Sequence, residues 1–284
     1  MSLRGRTAAL ANVDLSDKKA CDAAVIAAVS DFSDIIALAK DDTGFKQAAV
    51  DKQRNISMFT KPVAESPIHM MKARAVMPCG PKDLLGYLEL DRRQMWDDHF
   101  IRGHVLNEST TGAPAEDASS LVMGGPANVW FKYMAFKSPM PVVVQKRDFE
   151  LVVGEQLLKD GTAVLKALSP PMGRCHPQEN GFVRGVIEIS GFVAEPIGKH
   201  SCRVTYVALV DPKGMVPPVA VNILVGKQTA TLAQMQRVIG EEENKKHAAA
   251  SAAKKGTRSS AKGRGFSSSP SSSAESTTPL LAKL

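Results

Sequence analysis

Three stretches in the second half of the chain leave few folds open. Residues 149–153 (Phe-Glu-Leu-Val-Val), 183–193 and 204–210 (Val-Thr-Tyr-Val-Ala-Leu-Val) are apolar at nearly every position. A strand with one face in water alternates apolar and polar residues, so these read as strands covered on both faces. The turns around them are too short for crossover helices, which makes the pairing antiparallel. A cover for one face comes next in the chain. Residues 219–240, entered through Pro217-Pro218, set Val221, Leu224, Val225, Leu232, Met235 and Ile239 at helical spacing. Gln228 interrupts that stripe, either as its edge or as a polar group facing a cavity.

The remaining elements are set by punctuation. Ser16 is placed to cap a helix over 16–39, along which Ala20, Ala24, Phe32, Ile35 and Leu38 recur. Strand-like runs come next at 45–50, 56–63 and 68–77, broken at Lys61-Pro62 and Ser66-Pro67. Pro81 opens a helix where its missing N–H costs nothing, and a second short helix is expected over 92–100. Strands return at 104–109, 119–136, 146–158, 162–168, 182–194 and 201–210. This order predicts one α+β domain over 15–243, preceded by a flexible stretch at 1–14.

Charge separates that domain from the C-terminal segment. The whole chain has 36 Lys and Arg against 29 Asp and Glu, and 244–284 holds eight of the former and one of the latter; residues 1–243 therefore carry 28 of each. A neutral domain argues against a nucleic-acid surface, which needs a basic face on the fold itself. The basic tail has ten Ser in 41 residues and too few apolar groups to order itself. Twelve methionines and an aromatic content of only 5% suit a deformable, largely aliphatic interior. Cys21, Cys79, Cys175 and Cys202 have no metal-binding or framework spacing and read as free thiols. No run approaches the roughly 18 apolar residues of a membrane span.

Four motifs in order resemble the START (StAR-related lipid-transfer) domain family. They are Arg93, Trp96 and Asp97 in Asp91-Arg-Arg-Gln-Met-Trp-Asp97; Pro139-Met-Pro141 with Lys146-Arg-Asp-Phe149; Gly191-Phe-Val-Ala-Glu-Pro196; and Val204-Thr-Tyr-Val with Val210-Asp-Pro-Lys-Gly-Met-Val-Pro217. Together they extend over roughly 15–240. The resemblance implies a helix-grip fold: a curved antiparallel sheet wrapped around a long C-terminal helix, with an internal apolar tunnel that holds one lipid. Sterol carriers of the family often pair an Arg a few residues after R-D-F with an acid on the preceding strand. Val153 and Met134 stand at those places here. Phospholipid is therefore the ligand that the resemblance favours, bound by an Arg and an acid four residues apart.

On that basis Arg93 and Asp97, sharing a helix face at i,i+4, are the headgroup candidates, with Asp97 steadying the planar fork of Arg93. The tunnel wall is expected from Trp96, Met134, Phe149, Val153, Ile187, Tyr206, Gln228 and Leu232, around a cavity beyond about 500 Å³. A gate is expected at Pro139, Met140, Val219 and Leu224, where apolar side chains beside prolines can meet a bilayer surface.

The function expected is lipid binding with transfer or presentation between membranes, by a monomer needing no metal or cofactor and touching membranes transiently through gate and tail. Two alternatives stand: a lipid sensor or membrane tether, and an acyl-ester hydrolase on the same fold. No G-x-S-x-G, H-E-x-x-H or P-loop motif supports an enzyme. The expected address is the cytoplasm, with a peroxisome-type organelle as the alternative, because Ala282-Lys-Leu284 resembles a receptor-read C-terminal signal.

Overall fold

Asp17, not Ser16, caps the helix expected from residue 16: its side chain accepts from the Ala20 amide, while Ser16 bonds back to Asp14. A computed structural model of the chain describes residues 10–64, 68–107, 121–138, 140–141, 144–170, 180–214, 230–246 and 248–249. The expected single helix over 16–39 is two, α1 (Lys18–Ser30) and α2 (Ser33–Lys40). The break has a physical cause. Lys166 Nζ reaches up from the sheet and donates to the carbonyls of Ala28 (2.7 Å) and Asp31 (2.8 Å), where a continuous helix would need them for its own amides. The same ammonium meets the carboxylate of Asp34, in the first turn of α2, at 2.7 Å. A cation at one helix C-terminus and an anion at the next N-terminus each complement the local helix dipole.

Among the described residues ten strands follow in one sheet: β1 (Lys46–Asp51), β2 (Ile56–Lys61), β3 (Met70–Met77), β4 (Phe100–Asn107), β5 (Asn128–Phe136), β6 (Lys146–Leu157), β7 (Ala163–Leu168), β8 (Phe182–Arg184), β9 (Val186–Gly198) and β10 (Ser201–Asp211). Their order is β1-β2-β3-β10-β9-β7-β6-β5-β4, with β8 beside β6. Every pair is antiparallel except β6 with β8. The expected strand 182–194 is thus divided at Gly185. That residue has no room for a Cβ, which would lie 2.3 Å from the Phe149 ring. The strand expected from 119 begins only at Asn128.

Between β3 and β4 lie α3 (Pro81–Tyr87) and α4 (Leu90–Arg93). The helix expected over 92–100 is therefore one short turn, and β4 already begins at Phe100. The chain is helical again from 230 onward. This last helix, α5, continues to the end of the first of two compact units, Met1–Glu243, past the expected end at 240. Of the second unit, Asn244–Leu284, the described residues 244–246, 248 and 249 are helical, where a tail without order was expected.

The sheet has apolar groups on both faces, as its continuous apolar strands require. On the outer face Val129, Phe131, Val152, Val164, Ile189, Val193 and Val207 pack with Val25 and Val29 of α1 and Ile35 of α2. On the inner face Phe149, Leu151, Val153, Leu165 and Val204 pack with Leu84 and Leu85 of α3 and with Leu232, Met235, Val238 and Ile239 of α5. Close approach of α1 depends on Gly154, where a Cβ would lie 2.3 Å from the Val29 carbonyl oxygen. A backbone atom cannot swing aside, so Gly154→Ala is expected to cost about 1–3 kcal/mol as an overpacked site. Denaturant midpoints of the two proteins measure it; an unchanged midpoint would show that α1 yields freely.

Candidate functional site: a cavity under the inner face

A cavity of about 410 Å³ lies on the inner face. Trp96, Met134, Phe149, Val153, Ile187, Tyr206 and Leu232 line it, as do Arg93 and Asp97. It is smaller than the roughly 500 Å³ expected, because Arg93 and the rings of Trp96, Phe136, Phe149, Phe192 and Tyr206 project into it. A β-bulge gives the wall part of its shape. Leu209 pairs with Ile189 and Val210 with Ile187, so the alternation on β9 slips by one and both Ile187 and Ser190 face the cavity. Met140 belongs to a turn beside the cavity, where its amide donates to Ser138 Oγ (3.0 Å) and its carbonyl accepts from the Val144 amide. Gln228, the other gate candidates Pro139, Val219 and Leu224, and the terminal Ala282, Lys283 and Leu284 lie outside the described residues.

Arg93 ends α4 and Asp97 lies in the turns after it, so they do not share a helix as expected. The i,i+4 relation survives nonetheless, because the Asp97 amide donates to the Arg93 carbonyl at 3.0 Å. Nε of Arg93 donates to Asp97 Oδ2 at 3.1 Å, and Nη2 lies 3.1 Å from the same oxygen in an ion pair. Asp97 Oδ1 in turn accepts from the His99 amide. Around the guanidinium stand the rings of Trp96 (5.0 Å), Phe136 (5.3 Å) and Phe100 (5.7 Å), an arrangement that replaces part of its lost hydration. The indole N–H of Trp96 donates to the Tyr87 carbonyl at 2.7 Å, which locks this corner to α3. Deeper on the wall, Tyr206 stacks on Phe192 at 4.6 Å, and its hydroxyl lies 3.4 Å from Ser190 Oγ. Burial raises the Tyr206 pKa, so the hydroxyl stays a neutral hydrogen-bonding group.

Besides Lys137 and Asp211, two further charged residues line the cavity, both buried, and the alternation of apolar and polar positions marks neither. Lys132, on β5, lines it and is nearly buried; its Nζ lies 3.7 Å from Glu155 Oε1, on β6. Burial raises the Glu155 pKa, and Lys132 opposes that rise. Lys132 and Glu155 sit within a few residues of Met134 and Val153, the places where a pair of the sterol-carrier kind would stand. Arg147, the second, comes from the Lys-Arg-Asp-Phe motif. It spans to the last motif by donating through Nε to the Pro212 carbonyl (3.1 Å) and through Nη2 to that of Lys213 (3.0 Å). The turn it holds has Lys213 and Gly214 at positive φ, of 50° and 67°. An alternation pattern that looks for greasy positions passes over such residues, since a buried cation looks the same in sequence as an exposed one.

Among the described residues no group of three or more His, Cys, Asp or Glu could hold a metal ion. Among them, too, no helix is long and apolar enough to cross a membrane. Cys21, Cys79 and Cys202 are buried free thiols, and Cys175 lies outside the described residues.

The fold is similar to several solved structures. The chain superposes on human StAR-related lipid transfer protein 5 with a TM-score of 0.63, at 18% identity, over 78% of this chain and 97% of that one. Human STARD10 gives 0.57 at 21% identity, over 76% and 81%. The lipid transfer and protein localization domain of human StarD13 (DLC2) gives 0.56 at 21% identity, over 72% and 93%. No curated protein sequence matches the chain. The family model described as START domain matches residues 39–246, which take in every described element from β1 to α5, and the chain belongs to the START domain family.

Proposed function

We propose that this protein binds one lipid in the inner-face cavity, with a phosphate-bearing headgroup at the Arg93–Asp97 corner, and carries or presents that lipid between membranes. The observation that carries this reading is a charged, hydrogen-bonded corner opening onto a wall that is otherwise mostly apolar. Arg93 turns Nε and Nη2 to Asp97, and among the described residues its Nη1 group meets no protein acceptor. Phosphate oxygens suit such a fork.

Energetics favour carriage over permanent capture. Enclosing a ~15-carbon chain at roughly 0.8 kcal/mol per CH₂ is worth about 12 kcal/mol against water. A bilayer offers the chain the same stabilisation, so the protein's contribution is to shield the chain between membranes. The gate residues and the basic segment 244–284 are the proposed membrane contacts, the latter drawn to anionic surfaces by about 1 kcal/mol for each nearby Lys or Arg. The cytoplasm is the proposed place of action.

Native mass spectrometry of the purified protein and lipid movement between donor and acceptor vesicles test the reading. Arg93→Ala is expected to lower affinity for a phospholipid at least tenfold, a loss of about 1.4 kcal/mol or more, with the melting transition still cooperative. Wild-type binding and transfer by that variant would make the pair purely structural. A protein that binds lipid but moves none between vesicles is a sensor.

A further inference from the structure

Arg93, Lys132 and Asp211 each face an opposite charge at or beside the cavity: Asp97, Glu155 and Lys213. Among the described residues Arg147 does not. It is 6% exposed, lines the cavity, and meets there only the carbonyls of Gln145, Pro212 and Lys213. Carbonyl dipoles satisfy N–H groups but leave the unit charge standing, and a buried unpaired charge is costly. Burial lowers its pKa, and no carboxylate acts against that shift. Three of its five N–H groups are taken by those carbonyls, one each on Nε, Nη1 and Nη2. Among the described residues one N–H therefore remains without an acceptor on each terminal nitrogen, and a planar guanidinium can offer two such groups to two oxygens.

We infer that Arg147 is an anion anchor of this cavity, docking a carboxylate or phosphate group of the bound amphiphile. The inference rests on the lipid-binding reading above and adds a second charge to its headgroup end. Phe136 lies directly across the β5–β6 ladder from Arg147, and Arg93 stands over the same ring. The two cations thus flank one aromatic side chain from different elements of the fold. Because Arg93 is already neutralised by Asp97 and Lys137 is exposed to solvent, charge selection inside the cavity falls to the buried Arg147. The anchor also ties ligand to backbone: two of the carbonyls that Arg147 holds belong to the turn entered from the end of β10, so an anion competing for the guanidinium acts on that turn.

The test compares oleate and lysophosphatidate with uncharged monoolein, which shares the single chain, on full-length protein at low salt. Wild type is expected to bind both anions at least tenfold tighter than monoolein. Arg147→Gln, whose amide can still donate to a carbonyl, is expected to bring that ratio below threefold. Arg147→Lys keeps the charge and loses the fork, and an intermediate ratio is expected; should the Gln variant fail to fold, this variant decides the matter. A wild type without anion preference, or a ratio unchanged in the variant that folds, overturns the inference and leaves lipid binding standing. Failure of all three lipids to bind removes the lipid reading instead. Inorganic phosphate alone forms the last arm: if it raises the melting temperature of wild type and not of Arg147→Gln, while no lipid shows charge preference, the anchor takes a free anion and the headgroup assignment is overturned.

Discussion

Lys132→Met alone is expected to destabilise the protein by about 3–5 kcal/mol, whereas Lys132→Met combined with Glu155→Leu is expected to be neutral or more stable than wild type by about 1–4 kcal/mol. Lys132 is 8% exposed and Glu155 1%, and at 3.7 Å their contact is too long for a good hydrogen bond. Removing the ammonium leaves a carboxylate in an apolar surround. Removing both charges also abolishes their desolvation. The pH dependence gives a second reading of the same pair. Burial raises the Glu155 pKa above its ordinary 4.5, so between the two values the folded state binds more protons than the unfolded chain. Wild-type stability then falls with rising pH across that interval, and the penalty vanishes below it. The double variant lacks the penalty, so its advantage over wild type should grow with pH from about 4.5 upward. Urea midpoints of the three proteins across roughly pH 4–8 measure both effects. A double variant as unstable as Lys132→Met would show that the pair holds the cavity wall by a specific contact.

Lys166→Met should have an effect of comparable size for a different reason. The Lys166 ammonium is 2% exposed and joins two helices to β7 through the carbonyls of Ala28 and Asp31 and the carboxylate of Asp34. Methionine fills the space and satisfies none of these acceptors. The expected cost is about 3–5 kcal/mol, or a fall in melting temperature of roughly 6–20 °C for a domain of this size. Faster proteolysis within α1 and α2 should accompany it. A fall of the same size without local proteolysis would mean that the helices stay docked and the loss is spread over the whole domain.

Much of the architecture was legible because the apolar runs are long and their boundaries are marked by Pro and Gly. Strands β6, β7 and β10 lie close to their expected limits for that reason. The misplacements share another cause, namely tertiary contacts that pattern cannot register. The local signal at Ser30-Asp31-Phe-Ser-Asp34, where the Asp31 side chain accepts from the Ser33 amide, is a weak one inside an apolar-periodic run, and the contact that holds the break comes from Lys166, 135 residues away in sequence. Gly185 divides a strand because the Phe149 ring needs its space. At the cavity the greasy wall could be read from alternation and from the family motifs, and so could the i,i+4 pair Arg93 and Asp97. Lys132 and Glu155 could not, since a charged side chain pointing inward interrupts the pattern as a loop residue would; Arg147 stands in a family motif, but nothing in the sequence marks it as buried. Composition misled in one respect: aromatics are only 5% of the chain, yet Trp96, Phe136, Phe149, Phe192 and Tyr206 gather around one cavity.

The far end of α5 is fastened. Glu242 accepts from the Tyr87 hydroxyl at 2.9 Å and from Arg92, whose guanidinium lies 4.0 Å over the Tyr87 ring, and Gln236 donates to the Val76 carbonyl at 2.7 Å. Thr231 and Leu232, roughly three turns away, line the cavity instead. Leu232 at the cavity and Glu242 at the clamp belong to one helix, so a ligand that displaces Leu232 is expected to load the contacts that Tyr87 and Arg92 make with Glu242.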